Sequence, residues 1–331
     1  MTSWQPTASL EMLQTRARLL LQLRAFFAEN DILEVTTPIL SQAGNTEPAI
    51  ASFVTQEHES QSHKIQPSFL NTSPEFAMKR LLAAGYGSIF QITQAFRQDE
   101  QGKKHNPEFT LLEWYRLNFD HHALMGELNA LIRYVAKEFL LLERSQFYTY
   151  RDAMLQFADV DPFKADIDEL KQATVKAGID AVGLNNTPDK DSEKDAWLDL
   201  LMSQVVEKKL PLNCPVFIYD YPASQAALAK ISNETPELAA RFELYINGME
   251  LANGYHELSD ADEQAERFKL QQEQRKKSGL PGIPADYRLI SALKHGLPEC
   301  AGVALGVDRL LMVLTGAKHI NEVLTFPFDQ A

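Results

Sequence analysis

Residues 96–115 read FRQDEQGKKHNPEFTLLEWY. Two runs of strand character flank a loop dense in charge and amide. Arg97 stands at the entrance, and Glu113 and Tyr115 share one face of the strand that leaves. An ordinary hydrated hairpin explains the polar tip. It does not explain Phe109, which NPEF (106–109) places beside the loop, where an aromatic face could stack on a base. A loop offering Lys103, Lys104, His105 and Asn106 as donors, held between two strands, suits a flap over a polyphosphate.

On the N-terminal side, SIFQITQAFR (88–97) alternates. Phe90, Ile92 and Phe96 point one way; Gln91, Thr93, Ala95 and Arg97 point the other. NTSPEFAMKRLLAAG (71–85) is punctuated as a helix, with Ser73 at the N-cap, Pro74 first inside and Gly85 as the stop. Glu75 falls in its first turn, where a carboxylate meets the helix dipole favourably. Residues 9–30 carry a helical period through Leu10, Leu13, Ala17, Leu20, Leu21, Arg24 and Phe27. DILEVTTPIL (31–40) reads as extended, and 41–66 as polar and irregular.

On the C-terminal side, about 120–212 reads as mostly helical, with a loop at GLNNTPDKDSEKD (183–195). CPVFIYDYP (214–222) reads as a buried strand, RFELYINGMELANGYHEL (241–258) as a strand pair, and QAERFKLQQEQRKKSG (264–279) as an exposed helix. ECAGVALGVDRLLMVLTG (299–316) is a strand, a glycine turn and a helix. Strands that meet their sequence neighbours through short hairpins argue for an α+β fold, an antiparallel sheet flanked by helices, rather than a doubly wound parallel sheet.

The net charge of −13 does not favour sequence-independent contact with nucleic-acid phosphates. No run approaches a membrane span, and the N-terminus lacks a secretory pattern. Cys214 and Cys300 read as small core residues in a reducing, cytoplasmic setting.

Asn247-Gly248 is a strong two-residue turn signal. With that pair at the tip, Tyr245 faces Glu250 and Glu243 faces Ala252. Glu243, Tyr245 and Glu250 then share a face, with the carboxylates roughly 7–8 Å apart at the backbone. Two Glu on a wet face is one reading; a divalent cation carrying phosphate, magnesium above all, is the other. Glu257 joins that face if a bulge at Gly254 resets the alternation. Arg309 sits in the first turn of a helix starting near Val307. A cation there opposes the helix dipole, so it calls for an anionic ligand or a sheet carboxylate. Gly302 and Gly306 let a ligand approach the backbone.

In this order the pieces resemble the class II aminoacyl-tRNA synthetase catalytic domain, specifically that of the lysyl enzymes, over about residues 10–328. EVTTPIL (34–40) is similar to the first class motif, with its proline at a dimer interface; residues 96–115 are similar to the second and GVALGVDR (302–309) to the third. FELYINGMELANGYHEL (242–258) and FPF (326–328) agree with the lysyl enzymes.

The resemblance implies that Arg97 binds the α-phosphate and the substrate carboxylate and that Arg97 and Arg309 are catalytic. Gln98, Asp99, His105, Asn106, Leu251 and Gly306 would join them around ATP, with Phe109 and Arg309 sandwiching the adenine. Glu243 and Glu250 would hold Mg2+. The amino acid would lie against Ser73, Pro74, Glu75, Glu113, Tyr115, Asn253, Glu257 and Ala304. Glu75 and Glu113 would receive the backbone-side amine, and Tyr115 and Glu257 the terminal ammonium.

Three departures bear on substrate. The chain begins almost at the first motif, so residues 1–331 are expected to form one catalytic domain, with the helical stretch near 120–212 as an insertion and the anticodon-binding barrel absent. Arg97-Gln98-Asp99 stands where the family has Arg-x-Glu. Ala304 stands where lysyl enzymes have glycine, and one added methyl in a tight pocket disfavours α-lysine by roughly 1–3 kcal/mol.

A stand-alone core of this kind resembles the ligases that attach (R)-β-lysine to the ε-amine of a lysine on elongation factor P. The implied reaction uses ATP and β-lysine, in a homodimer, with no tRNA and no membrane. The alternatives are a truncated lysyl-tRNA synthetase, an amide-forming amino-acid synthetase of the same fold, and a non-catalytic regulatory paralogue.

Overall fold

The computed structural model describes residues 4–55, 58–59, 65–180 and 190–331. The chain forms two compact units. The first comprises residues 1–118, 130–140 and 259–331; the second comprises 119–129 and 141–258.

The first unit opens with α1 (Leu10–Glu29) and β1 (Leu33–Glu34). Four two-residue strands follow: β2 (Leu40–Ser41), β3 (His58–Glu59), β4 (Ile65–Gln66) and β5 (Phe69–Leu70). The stretch 41–66 is therefore not wholly irregular where it is described; residues 56–57 and 60–64 lie outside the described residues. Next come α2 (Glu75–Ala83), β6 (Ile89–Phe96) and β7 (Glu108–Leu117).

The second unit takes the start of α3 (His121–Ala136), then β8 (Gln146–Thr149), α4 (Tyr150–Ala153), α5 (Ile167–Lys176), α6 (Lys190–Leu201), α7 (Glu207–Lys209), β9 (Val216–Pro222), β10 (Leu238–Ile246) and β11 (Met249–His256). The chain returns to the first unit with α8 (Ala261–Lys277), α9 (Tyr287–Gly296), β12 (Cys300–Gly306) and α10 (Val307–Thr315).

Strands run β1-β6-β7-β12 in the first unit and β11-β10-β9-β8 in the second. β6–β7, β7–β12, β9–β10 and β10–β11 are antiparallel. β1–β6 and β8–β9 are parallel, and both join strands separated by long connections rather than hairpins. The fold class is α+β: a mostly antiparallel sheet flanked by helices.

Several local expectations shift. Burial on α1 follows Thr15, Leu19, Leu23, Phe26 and Phe27, whereas Leu10 and Leu21 are 72% and 69% exposed. The helix carries apolar residues on more than one side, and periodicity alone does not say which side meets the core. Phe27 stacks on Phe90 at 4.4 Å and meets Trp114 at 5.3 Å, which fixes the choice. Gln91 on β6 is buried along with Phe90, because this part of the strand is covered on both faces and does not alternate. Of the loop foreseen at 183–195, residues 183–189 lie outside the described residues, and from Lys190 the chain is helical. The mostly helical region near 120–212 also holds β8.

Candidate functional site

In the first unit, β6, β7 and β12 lay Gln91, Glu113 and Ala304 side by side, since Gln91 and Ala304 both pair with Glu113. Glu113 is 2% exposed. Ser73 Oγ donates to Glu113 Oε2 at 2.7 Å, and Tyr115 Oη donates to Oε1 at 2.6 Å. Ser73 Oγ also accepts from Glu75 N at 3.0 Å. The helix N-cap is Pro74 rather than Ser73, because the chain turns one residue later than expected, yet Ser73 still serves the first turn. Glu75 is ion-paired at 2.7 Å with Lys79 Nζ, on a side chain 1% exposed. Sequence reasoning missed Lys79, although its i,i+4 spacing from Glu75 is a readable signal.

The opening hairpin closes in register from Ile89↔Tyr115 to Phe96↔Glu108. The Arg97 guanidinium lies over the Phe109 ring, 5.1 Å from its centroid, and donates to Glu100 Oε1 at 3.0 Å. Glu100, not Asp99, partners Arg97; Gln98 and Asp99 are exposed on the turn. Arg97 Nε is buried without a partner, a donor suited to an anion.

Arg309 Nε donates to the Lys104 carbonyl at 3.3 Å, and its terminal nitrogen meets His105 Nε2. Burial lowers the His105 pKa below the ordinary imidazole value, helped by Arg309, Arg97 and Lys104 against Glu100. A neutral ring can accept from Arg309. Asn106 is buried, donates to the Glu108 carbonyl at 2.6 Å and accepts from Phe328 N at 3.0 Å. At Gly306 φ is −74°, open to any residue, and an added Cβ would meet only the Arg309 side chain at 3.9 Å. The space above this glycine suits close approach by a ligand.

Behind this row, Asp308 at the start of α10 pairs with Arg16 at 2.5 Å and accepts from Thr110 N at 2.7 Å. Both bonds tie α10 to β7 and α1, and so fix where Arg309 emerges. Neither Arg16 nor Asp308 stands out in the sequence, because the pair spans most of the chain.

In the second unit, Asn247 and Gly248 take positive φ (54° and 66°), as a tight hairpin requires. Tyr245 pairs with Glu250 as expected, but Glu243 pairs with Asn253, not Ala252. The register shifts between Leu244 and Tyr245, which leaves Leu251 as the extra residue. The bulge is at Leu251 rather than Gly254, which stays in regular pairing with Phe242. Alternation from Asn253 then puts Glu257 on the face of Glu250 and Glu243.

Glu243 is buried and held by four side chains. Tyr221 Oη donates to Oε2 at 2.6 Å and Tyr245 Oη donates to the same oxygen; Arg241 donates to Oε1 at 2.5 Å and Asn253 Nδ2 at 3.4 Å. Burial, then the Glu243 charge, push both phenols well above the usual tyrosine range, so they remain donors. Burial works against the Arg241 charge, but Glu243 and the Tyr255 and Tyr221 hydroxyls outweigh it and raise its pKa. Its guanidinium also stacks on Tyr221, 4.5 Å from the centroid. Sequence reasoning found Glu243 and missed the two groups, Tyr221 and Arg241, that orient it. Asn253 Oδ1 is buried with no donor. Asn253 shares a sheet face with Glu243 and Glu250, and oxygen is the donor type a hard divalent cation takes.

Comparison with known proteins places residues 3–330 in a match to the family model described as tRNA synthetases class II (D, K and N). The chain is 48% identical over 330 residues to the elongation factor P–(R)-β-lysine ligase of Vibrio cholerae, covering 100% of this chain and 99% of that protein. Its identity to the Vibrio parahaemolyticus ligase of the same name is 47%, with the same coverage. The ligase so named in Yersinia enterocolitica is 45% identical over 329 residues, 99% of this chain and 98% of that protein.

Proposed function

Because the chain belongs to the class II tRNA synthetases of the D, K and N group, we propose that it activates (R)-β-lysine with ATP and joins it to the ε-amine of a lysine on elongation factor P. The observation that carries this reading is the similarity to named ligases across the whole length. Ala304 supports it, standing directly opposite Glu113 on the amino-acid side of β12.

In the first step a β-lysine carboxylate oxygen attacks the α-phosphorus of ATP, the bond to the bridging oxygen breaks, and pyrophosphate leaves. Such in-line transfer rests on positioning and charge neutralisation more than on a protein nucleophile. Arg97, with its unpartnered Nε, serves the α-phosphate and the carboxylate. On the first unit Phe109 and Arg309 would bracket the adenine, and Gln98, Asp99, His105, Asn106 and Gly306 would line the nucleotide; on the second Leu251 would serve the nucleotide. Glu243 and Glu250 would hold magnesium, and the bound cation would supply neutralisation of phosphate charge.

Glu113, braced by Ser73 and Tyr115, and Glu75, braced by Lys79, receive the amine nearer the carboxylate. On the first unit Tyr115 would serve the terminal ammonium and Pro74 the amino acid; on the second Glu257 would serve the terminal ammonium and Asn253 the amino acid. In the second step the neutral acceptor amine attacks the acyl carbon, AMP departs as the amide forms, and the amine loses a proton. No protein side chain is assigned as that base.

The match running over residues 3–330 supports reading 1–331 as one catalytic domain, with the stretch near 120–212 as an insertion. A homodimer is supported by apolar side chains left exposed on the first unit: Leu10, Leu21, Leu33, Ile39 and Leu40. The two free buried cysteines fit a cytoplasmic location, and no described helix is long and apolar enough to cross a membrane.

ATP–pyrophosphate exchange with each lysine isomer, run beside acylation of deproteinised tRNA, tests the reading. Exchange with β-lysine and no tRNA acylation is the expected result. Efficient α-lysyl-tRNA formation would make the chain a tRNA synthetase, and no exchange with any isomer would make it a regulatory paralogue.

A further inference from the structure

Within the second unit, two histidines that the reaction does not use stand together. His121 and His122 open α3, and Asp220 lies on β9. The imidazole rings are 4.0 Å apart at their centroids, and His122 meets the edge of Tyr219 at 5.3 Å. His121 Nε2 is 3.1 Å from Asp220 Oδ1. One nitrogen or oxygen from each of His121, His122 and Asp220 lies within 4.8 Å of the others.

A simple histidine–carboxylate pair does not account for this cluster. His121 is only 8% exposed, and its Nδ1 is buried with no partner, an expensive state for a ring nitrogen. The charges of both Asp220 and Asp120 act on the exposed His122 ring. Asp120 is engaged elsewhere, accepting from Ala123 N at 2.8 Å as a cap on α3. That leaves Asp220 as the carboxylate for both imidazoles.

We propose that His121, His122 and Asp220 form a binding site for a divalent transition-metal cation of the zinc, nickel or copper type, tying the start of α3 to β9. Two imidazoles and one carboxylate match that borderline class, whereas magnesium prefers oxygen ligands alone. A cation taken at Nδ1 of His121 satisfies the orphaned nitrogen and keeps the Nε2–Asp220 hydrogen bond as outer support, an arrangement metal-bound imidazoles commonly make. A cation taken at Nε2 exchanges that hydrogen bond for coordination. Either way the two elements are clipped together, 99 residues apart in sequence.

The test uses the full chain stripped with chelator and then dialysed against Zn2+ or Mg2+. The readouts are metal content and thermal melting, neither of which depends on ligase activity. At a hundredfold excess over its dissociation constant, Zn2+ should raise the melting temperature by about 4 °C. A single bound equivalent should remain after dialysis, and Mg2+ should do neither. His122→Ala, at an exposed position, should abolish the shift and the bound metal. Asp220→Asn should weaken both and covers the case in which the first variant folds poorly. His295→Ala, at an exposed histidine elsewhere, should change nothing. Zinc retained equally by His122→Ala and Asp220→Asn, or no zinc retained by the unsubstituted chain, overturns the proposal.

Discussion

Ser73→Ala removes one hydroxyl that does two jobs. Its Oγ donates to the buried Glu113 carboxylate at 2.7 Å and accepts from Glu75 N at 3.0 Å in the first turn of α2. A hydrogen bond to a charged group contributes about 1.5–3 kcal/mol, and a side-chain oxygen on a first-turn N–H about 1 kcal/mol. Because Ser73 is half-buried, water takes over part of the lost bonding. The expected destabilisation is therefore about 2–3 kcal/mol, toward the lower end of that sum. Tyr115→Phe removes the 2.6 Å bond to Glu113 and leaves the Ser73 bonds to Glu113 and Glu75 N in place.

The assay is urea unfolding followed by tryptophan fluorescence in a Trp197→Phe background. That leaves buried Trp114 on β7 to report on the first unit, with Trp4 a solvent-exposed constant. A kinetic arm measures KM in pyrophosphate exchange. Ser73→Ala should raise KM for β-lysine through a slackened Glu113 and leave KM for ATP nearly unchanged. A stability loss below about 0.5 kcal/mol, typical of an inert surface change, would refute the bracing of Glu113 by Ser73. An equal rise in both KM values would refute its assignment to the amino-acid side.

Other outcomes follow from single groups. Ala304→Gly should shift isomer preference toward α-lysine by roughly tenfold or more; an unchanged isomer ratio in exchange assays removes Ala304 from the specificity argument. Arg97→Lys should lower kcat by a factor corresponding to about 3 kcal/mol, because a point charge cannot replace the planar fork, with single-turnover adenylation as the measurement. His105 has its pKa lowered in the folded chain. The unfolded chain therefore binds this proton first, so stability is fully present above the ordinary imidazole pKa of about 6.5 and falls as pH drops below it. Titrated melting curves should show that acid-side loss reduced in His105→Gln. Lys79→Met should destabilise by about 3–5 kcal/mol, since Glu75 keeps a largely desolvated charge, while the double change with Glu75→Gln should recover most of it; a double-mutant cycle on melting checks the pair.

Local features were legible because their causes are local. Asn247-Gly248 marked its own hairpin, Gly316 at φ 73° stopped α10 where the sequence put the stop, and Glu113 and Tyr115 share one face of β7, where Tyr115 Oη donates to Glu113. What escaped depends on partners distant in sequence. The bulge at Leu251 slipped Glu243 onto Asn253, and no turn residue marks it, because Gly254 nearby pairs regularly. Glu243 was readable as an acid on a strand, but its donor Tyr221 became apparent only once β9 lay beside β10, whereas Arg241, two residues away on β10 itself, was a local signal passed over. On α1 the pattern announced a helix and left its orientation open; Leu10 and Leu21, part of that pattern, are exposed, and the Phe27 side took the core. The Arg97–Glu100 bond, three residues apart on the turn, was not foreseen.

The most direct measurement of the central claim is intact-protein mass spectrometry of elongation factor P incubated with this chain, ATP and each lysine isomer in turn. The account requires a single added β-lysyl mass with the (R)-β-isomer, dependent on ATP and lost with Arg97→Lys. No mass gain with any isomer, or a gain with α-lysine equal to that with β-lysine, would contradict it.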